Sequence, residues 1–117
     1  MLIGEVSRLT GATCKAIRYY EKIGLITEPQ RKGNYRVYTE QDIIVISMIK
    51  RAQEFGFSLA ELKNLIKKKS KDNEFPLKEA NELIEIKLQQ IVDKQNQLKV
   101  LKSNLIKLKR DLFDNFS

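Results

Sequence analysis

Leu77, Ile84, Ile91, Leu98, Leu105 and Leu112 recur every seven residues without a miss. That spacing returns an apolar side chain to one stripe of an α-helix every two turns, as the a positions of a heptad repeat do. The companion d positions, Ala80, Lys87, Lys94, Leu101 and Leu108, are mixed in the first half and apolar in the second, with Leu88 and Val92 beside the two lysines. Pro76 suits the first turn of a helix, so the pattern predicts one dimerisation helix over 76–113, roughly 55 Å long at the standard rise. The preceding residues 1–69 cannot cover such a length, and a partner helix is required. A second copy is the simplest source of one, which makes Leu77, Ile84, Ile91, Leu98, Leu101, Leu105, Leu108 and Leu112 the expected dimerisation residues of a coiled coil. The same stripe could instead fold back on its own N-terminal domain, but the regularity of the heptads argues against this. Residues 70–75 have no period and read as a linker, and 114–117 as a tail.

The first 38 residues carry a different signal. Ile3, Val6 and Leu9 recur at helical intervals, and Gly11 stands where a chain reversing between two helices needs a positive φ. Thr13 can cap a second helix whose buried stripe is Ile17 and Tyr20, leaving Lys15, Arg18 and Tyr19 outward. Such a face suits entry into a major groove, where Arg grips guanine edges or phosphate with two donors; a charged, solvated helix would present the same residues. From Thr27 to Tyr38, Pro29, Gly33 and Asn34 interrupt short β-compatible runs, as in a small hairpin with Gly-Asn near its tip. Arg31, Lys32 and Arg36 would project from this wing toward a DNA backbone or adjacent minor groove, with Tyr35 and Tyr38 packing on sugar or phosphate. Thr39-Glu40-Gln41-Asp42 resembles a capping box ahead of Ile43, Ile46, Ile49 and Ala52, a helix ending at Gly56. Ser58-Leu59-Ala60-Glu61 opens a further helix with Leu59, Leu62, Leu65 and Ile66 inside and Lys67-Lys68-Lys69 in its last turn. Lys50 and Arg51 are candidates for backbone phosphate, or for an exposed salt-linked face.

Charge narrows the partner. The formal net charge is +7, and residues 1–69 hold 13 Lys and Arg against 7 Asp and Glu, whereas 70–117 hold 9 against 8. The basic excess therefore belongs to the N-terminal part, where it would attract phosphate and give a salt-dependent affinity. An anionic membrane would attract it too, but no segment has the apolar length of a spanning helix and no secretory leader opens the chain, so a cytoplasmic, nucleoid-associated protein is expected. One Cys and no His leave no internal disulfide and poor chemistry for a zinc or copper site within one chain. Without a His base, a phosphate cradle or a nucleophile motif, an enzyme is not expected, and neither a metal nor a cofactor is assigned.

The ordered pieces Ile3-Gly4-Glu5-Val6, Thr10-Gly11, Lys15-Ala16-Ile17-Arg18-Tyr19-Tyr20-Glu21, Gly24-Leu25-Ile26, Asn34-Tyr35-Arg36-Val37-Tyr38, Asp42 and Gly56-Phe57-Ser58-Leu59 closely resemble the MerR family of bacterial transcriptional regulators. The resemblance implies a mainly α, winged helix-turn-helix DNA-binding domain over 1–69, paired through an antiparallel coiled coil into a homodimer. It implies binding to a double-stranded promoter palindrome, distortion of the DNA to realign polymerase-recognition elements, RNA polymerase as a partner and control by an inducer. By position, Thr13, Lys15, Arg18 and Tyr19 fall on the recognition helix and Arg31, Lys32, Tyr35, Arg36 and Tyr38 on the wing, Tyr20 and Tyr38 also serving as packing residues at the base. Metal-sensing relatives carry further Cys or His after the dimerisation helix and drug-sensing ones append a ligand domain; neither is found here, so the inducer is open, a small apolar or cationic molecule being the expectation. Cys14, beside Lys15 at the head of the recognition helix, is a candidate redox or electrophile sensor, set against a plain small residue at a helix start. The alternative to a regulator is an architectural DNA-binding protein or coiled-coil adaptor with little sequence preference.

Overall fold

A computed structural model describes residues 1–68 and 75–117. The expected linker lies outside them apart from Phe75, and so does Lys69. The chain divides into two units, Met1–Pro76 and Leu77–Ser117.

The first unit runs α1 (Ile3–Thr10), α2 (Cys14–Lys22), β1 (Gln30–Lys32), β2 (Tyr35–Val37), α3 (Glu40–Glu54) and α4 (Leu59–Ile66). Each boundary has a local chemical cause. Gly11 closes α1 in the left-handed region at φ 76°, its N–H donating to Ser7 O, a conformation that costs a residue with a Cβ. Thr13 then caps α2 by accepting from the Ala16 N–H. Thr39 with Asp42, and Ser58 with Glu61, form reciprocal capping boxes at the heads of α3 and α4. The strands pair antiparallel with Arg31 opposite Arg36 and Lys32 opposite Tyr35, so Gly33-Asn34 is the whole loop, and Gly33 takes the positive φ such a tight turn favours.

The helices close over one core of Val6, Ala12, Ile17, Tyr20, Leu25, Ile26, Tyr38, Ile46, Ile49 and Leu62. Ile17, Ile46 and Val6 are fully enclosed, which puts one side chain each from α1, α2 and α3 at the centre. Leu9 departs from the expected stripe and is 47% exposed. Steps of three residues turn the helix back by about 60° each, so a run centred on buried Val6 carries its third member off the core face. Two buried tyrosines differ in their hydroxyls. That of Tyr20 donates to Gln53 Oε1 at 2.6 Å, while that of Tyr38 is buried with no hydrogen-bond partner among the described residues.

The second unit is a single helix, α5 (Leu77–Phe116), of 40 residues. It starts just after Pro76 and continues through Phe116, where a tail was expected. At its last turn Asn115 Nδ2 donates to Asp111 O, and Ser117 donates both its backbone N–H and its Oγ to Phe113 O. None of its residues is buried, and the heptad side chains lie bare, Leu98 at 65% exposure among them.

The two phenols give opposite expectations. Tyr20→Phe forfeits a hydrogen bond and should cost about 1 kcal/mol, whereas Tyr38→Phe removes an unpaired buried hydroxyl and should leave stability unchanged or raise it, as denaturant titration would show. Burial pushes both phenol pKa values up. The folded state thus holds protons that the unfolded chain releases near pH 10, so stability should fall as the pH rises past 10, and less steeply in either variant.

Candidate nucleic-acid interface

Helix α2 has two faces. Ile17 and Tyr20 are buried in the core, while Lys15, Arg18 and Tyr19 are exposed, Tyr19 at 47%. Neither Lys15 nor Arg18 has a hydrogen bond or ion pair among the described residues, and both keep their donors for a ligand. A nine-residue helix can hold such a face steady only because its other side is anchored.

The wing is fastened beside it by an ion pair. Arg36 Nε lies 2.9 Å from Glu21 Oε2 and 3.3 Å from Oε1, joining β2 to the last turn of α2. The Glu21 side chain is largely enclosed, and that of Arg36 about two-thirds covered. Arg36 was expected to reach DNA; here its Nε is turned inward on Glu21, and it acts first as a brace. Arg31 lies 3.9 Å from Glu28 in a solvent-exposed pair that contributes little. Lys32 is exposed without an ion pair among the described residues, and Tyr35 is exposed at the end of the hairpin. Between the head of α1, Arg18 and the hairpin is an open concavity of about 650 Å³, lined by Gly4, Arg18, Asn34, Tyr35 and Arg36 among others. Arg18 of α2 and Tyr35 and Arg36 of the hairpin thus share one recess with Glu5 of α1, while Lys15, Tyr19, Arg31 and Lys32 lie outside its lining.

Tyr38 does not belong to that surface. Only 2% of it is exposed, so contact of its ring with sugar or phosphate is ruled out in this conformation. Its backbone pairs with the start of the chain instead, Tyr38 N donating to Met1 O at 2.7 Å and the Met1 ammonium to Tyr38 O at 3.0 Å. Burial raises the pKa of its phenol, the Glu21 carboxylate adds to this, and Arg36 and Arg18 oppose it. Thr13 is exposed at the head of α2 with its Oγ1 engaged by the cap. Cys14 is half-buried, its Sγ 3.9 Å from Ile3 O, and so packs against α1 rather than standing free beside Lys15. Lys50, a candidate for phosphate, donates to Gly11 O, while Arg51 is exposed.

Glu21, Gln53 and Lys50 make contacts between elements that sequence alone does not assign. Each pairs across a long sequence interval with a partner any of several charged or polar residues could have been. Only the hydrophobic stripe of α2, which points Glu21 sideways from Ile17, gave a signal for one of them.

Replacing Glu21 by Gln keeps the shape and removes the charge that holds Arg36. The expected result is a loss of about 1–3 kcal/mol and faster amide exchange confined to the β1–β2 hairpin, measured by hydrogen exchange.

Comparison with known proteins agrees with this geometry. Residues 1–69 match the sequence model described as MerR HTH family regulatory protein, and residues 45–108 the one described as MerR, DNA binding. The HTH-type transcriptional regulator CueR of Escherichia coli is 43% identical over 67 residues, 56% of this chain and 50% of the regulator, so the matched stretch spans about half the length of that relative. The mercuric resistance operon regulatory protein of Bacillus cereus is 35% identical over 114 residues, 97% of this chain and 86% of that protein. Among solved structures, a transcription regulator of Ralstonia metallidurans in complex with lead(II) superposes with a TM-score of 0.65 at 30% identity, covering 94% of this chain and 86% of its own. With an exposed basic helix braced to a wing, and with family matches that together run from residue 1 to 108, the chain belongs to the MerR family of helix-turn-helix regulatory proteins.

Proposed function

We propose that this protein is a dimeric, sequence-specific transcription regulator that binds a promoter palindrome and distorts it to control transcription. The observation that carries the reading is the outer face of α2, where Lys15, Arg18 and Tyr19 stand exposed next to a wing held by the Arg36–Glu21 pair. Arg18 is the residue best suited to read a base, since a guanidinium can bond guanine O6 and N7 together. Lys15, Arg31 and Lys32 would neutralise phosphates, and Tyr35 would pack against the backbone. Arg36 would contribute from its brace, through guanidinium nitrogens that Glu21 leaves open.

Pairing through α5 follows from its chemistry. Ile84, Ile91, Leu98, Leu101, Leu105, Leu108 and Leu112 are each about half exposed or more on the single helix, and only another apolar helix returns that area to a dry environment. A two-fold dimer would present two α2 helices to two half-sites of a palindrome. Bending and untwisting the DNA between them would cost several kcal/mol, the kind of barrier an inducer can tip. The relatives named for mercury and lead raise metals as inducers of those proteins. Within these 117 residues a soft metal would find one Cys and no His, so a metal is not assigned here. A regulator of this kind would act in the cytoplasm, with RNA polymerase as its eventual partner.

Two measurements test the reading. Genomic DNA captured by the purified protein at physiological salt should be enriched in a palindrome lying between promoter elements, and Arg18→Ala should relax preference at one base position by about 1–3 kcal/mol. Retention without sequence preference, with Arg18→Ala changing only the salt slope, would favour an architectural role instead. Leu105→Lys in the coiled-coil stripe should convert a dimeric mass to a monomeric one in sedimentation, and a monomeric wild type at micromolar concentration would sink the dimer.

A further inference from the structure

One side chain reaches the turn of the helix-turn-helix from outside it. Lys50, on α3, sends Nζ to Gly11 O at 2.6 Å across 39 residues of sequence. Its ammonium also lies 3.6 Å from Glu54, one turn further along α3. A Cβ built on Gly11 would meet that Nζ at 3.2 Å, so the side chain lies directly over the turn. Gly11 ends α1, and its N–H donates back to Ser7 O. The contacted carbonyl therefore belongs to the negative end of that helix, where a cation is favoured.

We propose that Lys50 is a positioning residue: it clamps the Gly11 carbonyl from α3, and so sets the angle at which α2 presents Lys15, Arg18 and Tyr19, without itself holding DNA phosphate. The proposal rests on the regulator reading above. Only Gly11, Ala12 and Thr13 separate α1 from α2, so a rotation about the Gly11 or Ala12 backbone bonds is transmitted almost whole to α2. The polar ties already in the turn are short-range. Thr10 Oγ1 donates to Val6 O and accepts from Ala12 N, both within α1 and the turn itself. Beside Ala12, which packs in the same core as Ile46 and Ile49 of α3, Lys50 supplies a directional polar tie from the turn to α3. Glu54 holds the ammonium from the other side and offsets part of the cost of committing it. The side chain is one-third exposed, enough for the charge to remain hydrated and too little for it to swing free without giving up both partners.

A phosphate contact and a positioning role predict different results. Lys50→Met removes the donor at similar volume, and Lys50→Arg restores one. Without DNA, the carbonyl carbon of Gly11 and the amide nitrogen of Ala12 should shift in Lys50→Met and return toward wild-type positions in Lys50→Arg. With DNA, the probes are a duplex selected by the wild-type protein from a random pool and a mixed-sequence duplex. Lys50→Met should lower the ratio of the two affinities about tenfold, leave the mixed-sequence affinity and the salt slope unchanged, and be rescued by Lys50→Arg. Equal weakening on both duplexes with about one unit lost from the salt slope would overturn the proposal in favour of phosphate contact. An unmoved Gly11 signal would overturn it as well. Should Lys50→Met fail to fold, the wild-type complex decides: a through-bond coupling from Lys50 Nζ to a DNA phosphorus would overturn the positioning role, and an Nζ signal unchanged from the free protein supports it. A wild type that selects no duplex would defeat the regulator reading and the role of Lys50 in recognition, while the Gly11 signal would still report the clamp.

Discussion

A nine-residue helix has too few backbone hydrogen bonds to persist in water by itself. Everything that α2 offers outward therefore depends on what it buries inward, and the central burial is Ile17 against Val6 of α1 and Ile46 of α3. That contact brings three helices to one point and fixes the rotation of α2 about its own axis. Once Ile17 is inside, the 3.6-residue period leaves Lys15, Arg18 and Tyr19 facing away from the core. The exposed face of α2 and its core residues are therefore set by one packing event.

Burial fixes the rotation of a helix better than its tilt or the position of a neighbouring loop. Polar links at the edges of the core supply those. Arg36 with Glu21 joins the wing to the end of α2, Tyr20 with Gln53 ties α2 to α3, and Lys50 ties α3 to the turn. Each is directional, and the first two are partly covered so that water competes less for them, while the Lys50 bond lies at the surface. In this arrangement the two-residue hairpin gains a fixed place that two three-residue strands could not provide alone.

The second unit obeys different physics. Helix α5 is long enough to carry several heptads, buries nothing in itself, and exposes an apolar stripe that water disfavours. The stripe formed by the a positions is the same apolar surface that the single helix leaves to water. Lys87 and Lys94 at the mixed d positions reduce that surface in the first half, and Leu101 and Leu108 restore it in the second. The uneven stripe concentrates the apolar area toward the C-terminal end.

Much of the architecture was legible in the residues because it rests on local rules. Gly11 at a positive φ, the capping boxes at Thr39 and Ser58 and the Gly33-Asn34 loop all arise from interactions within a few residues of chain, and the apolar period of α2 marks which of its faces is left exposed. The heptads likewise predicted one long helix, and it runs on to Phe116. By contrast, that Arg36 pairs with Glu21, that Lys50 reaches Gly11 and that Tyr38 lies in the core was decided only by the tertiary structure. A charge or a ring in a sequence carries no direction to its partner. Its partner is fixed only when packing brings together segments 15 or 39 residues apart and leaves one of several compatible groups within reach.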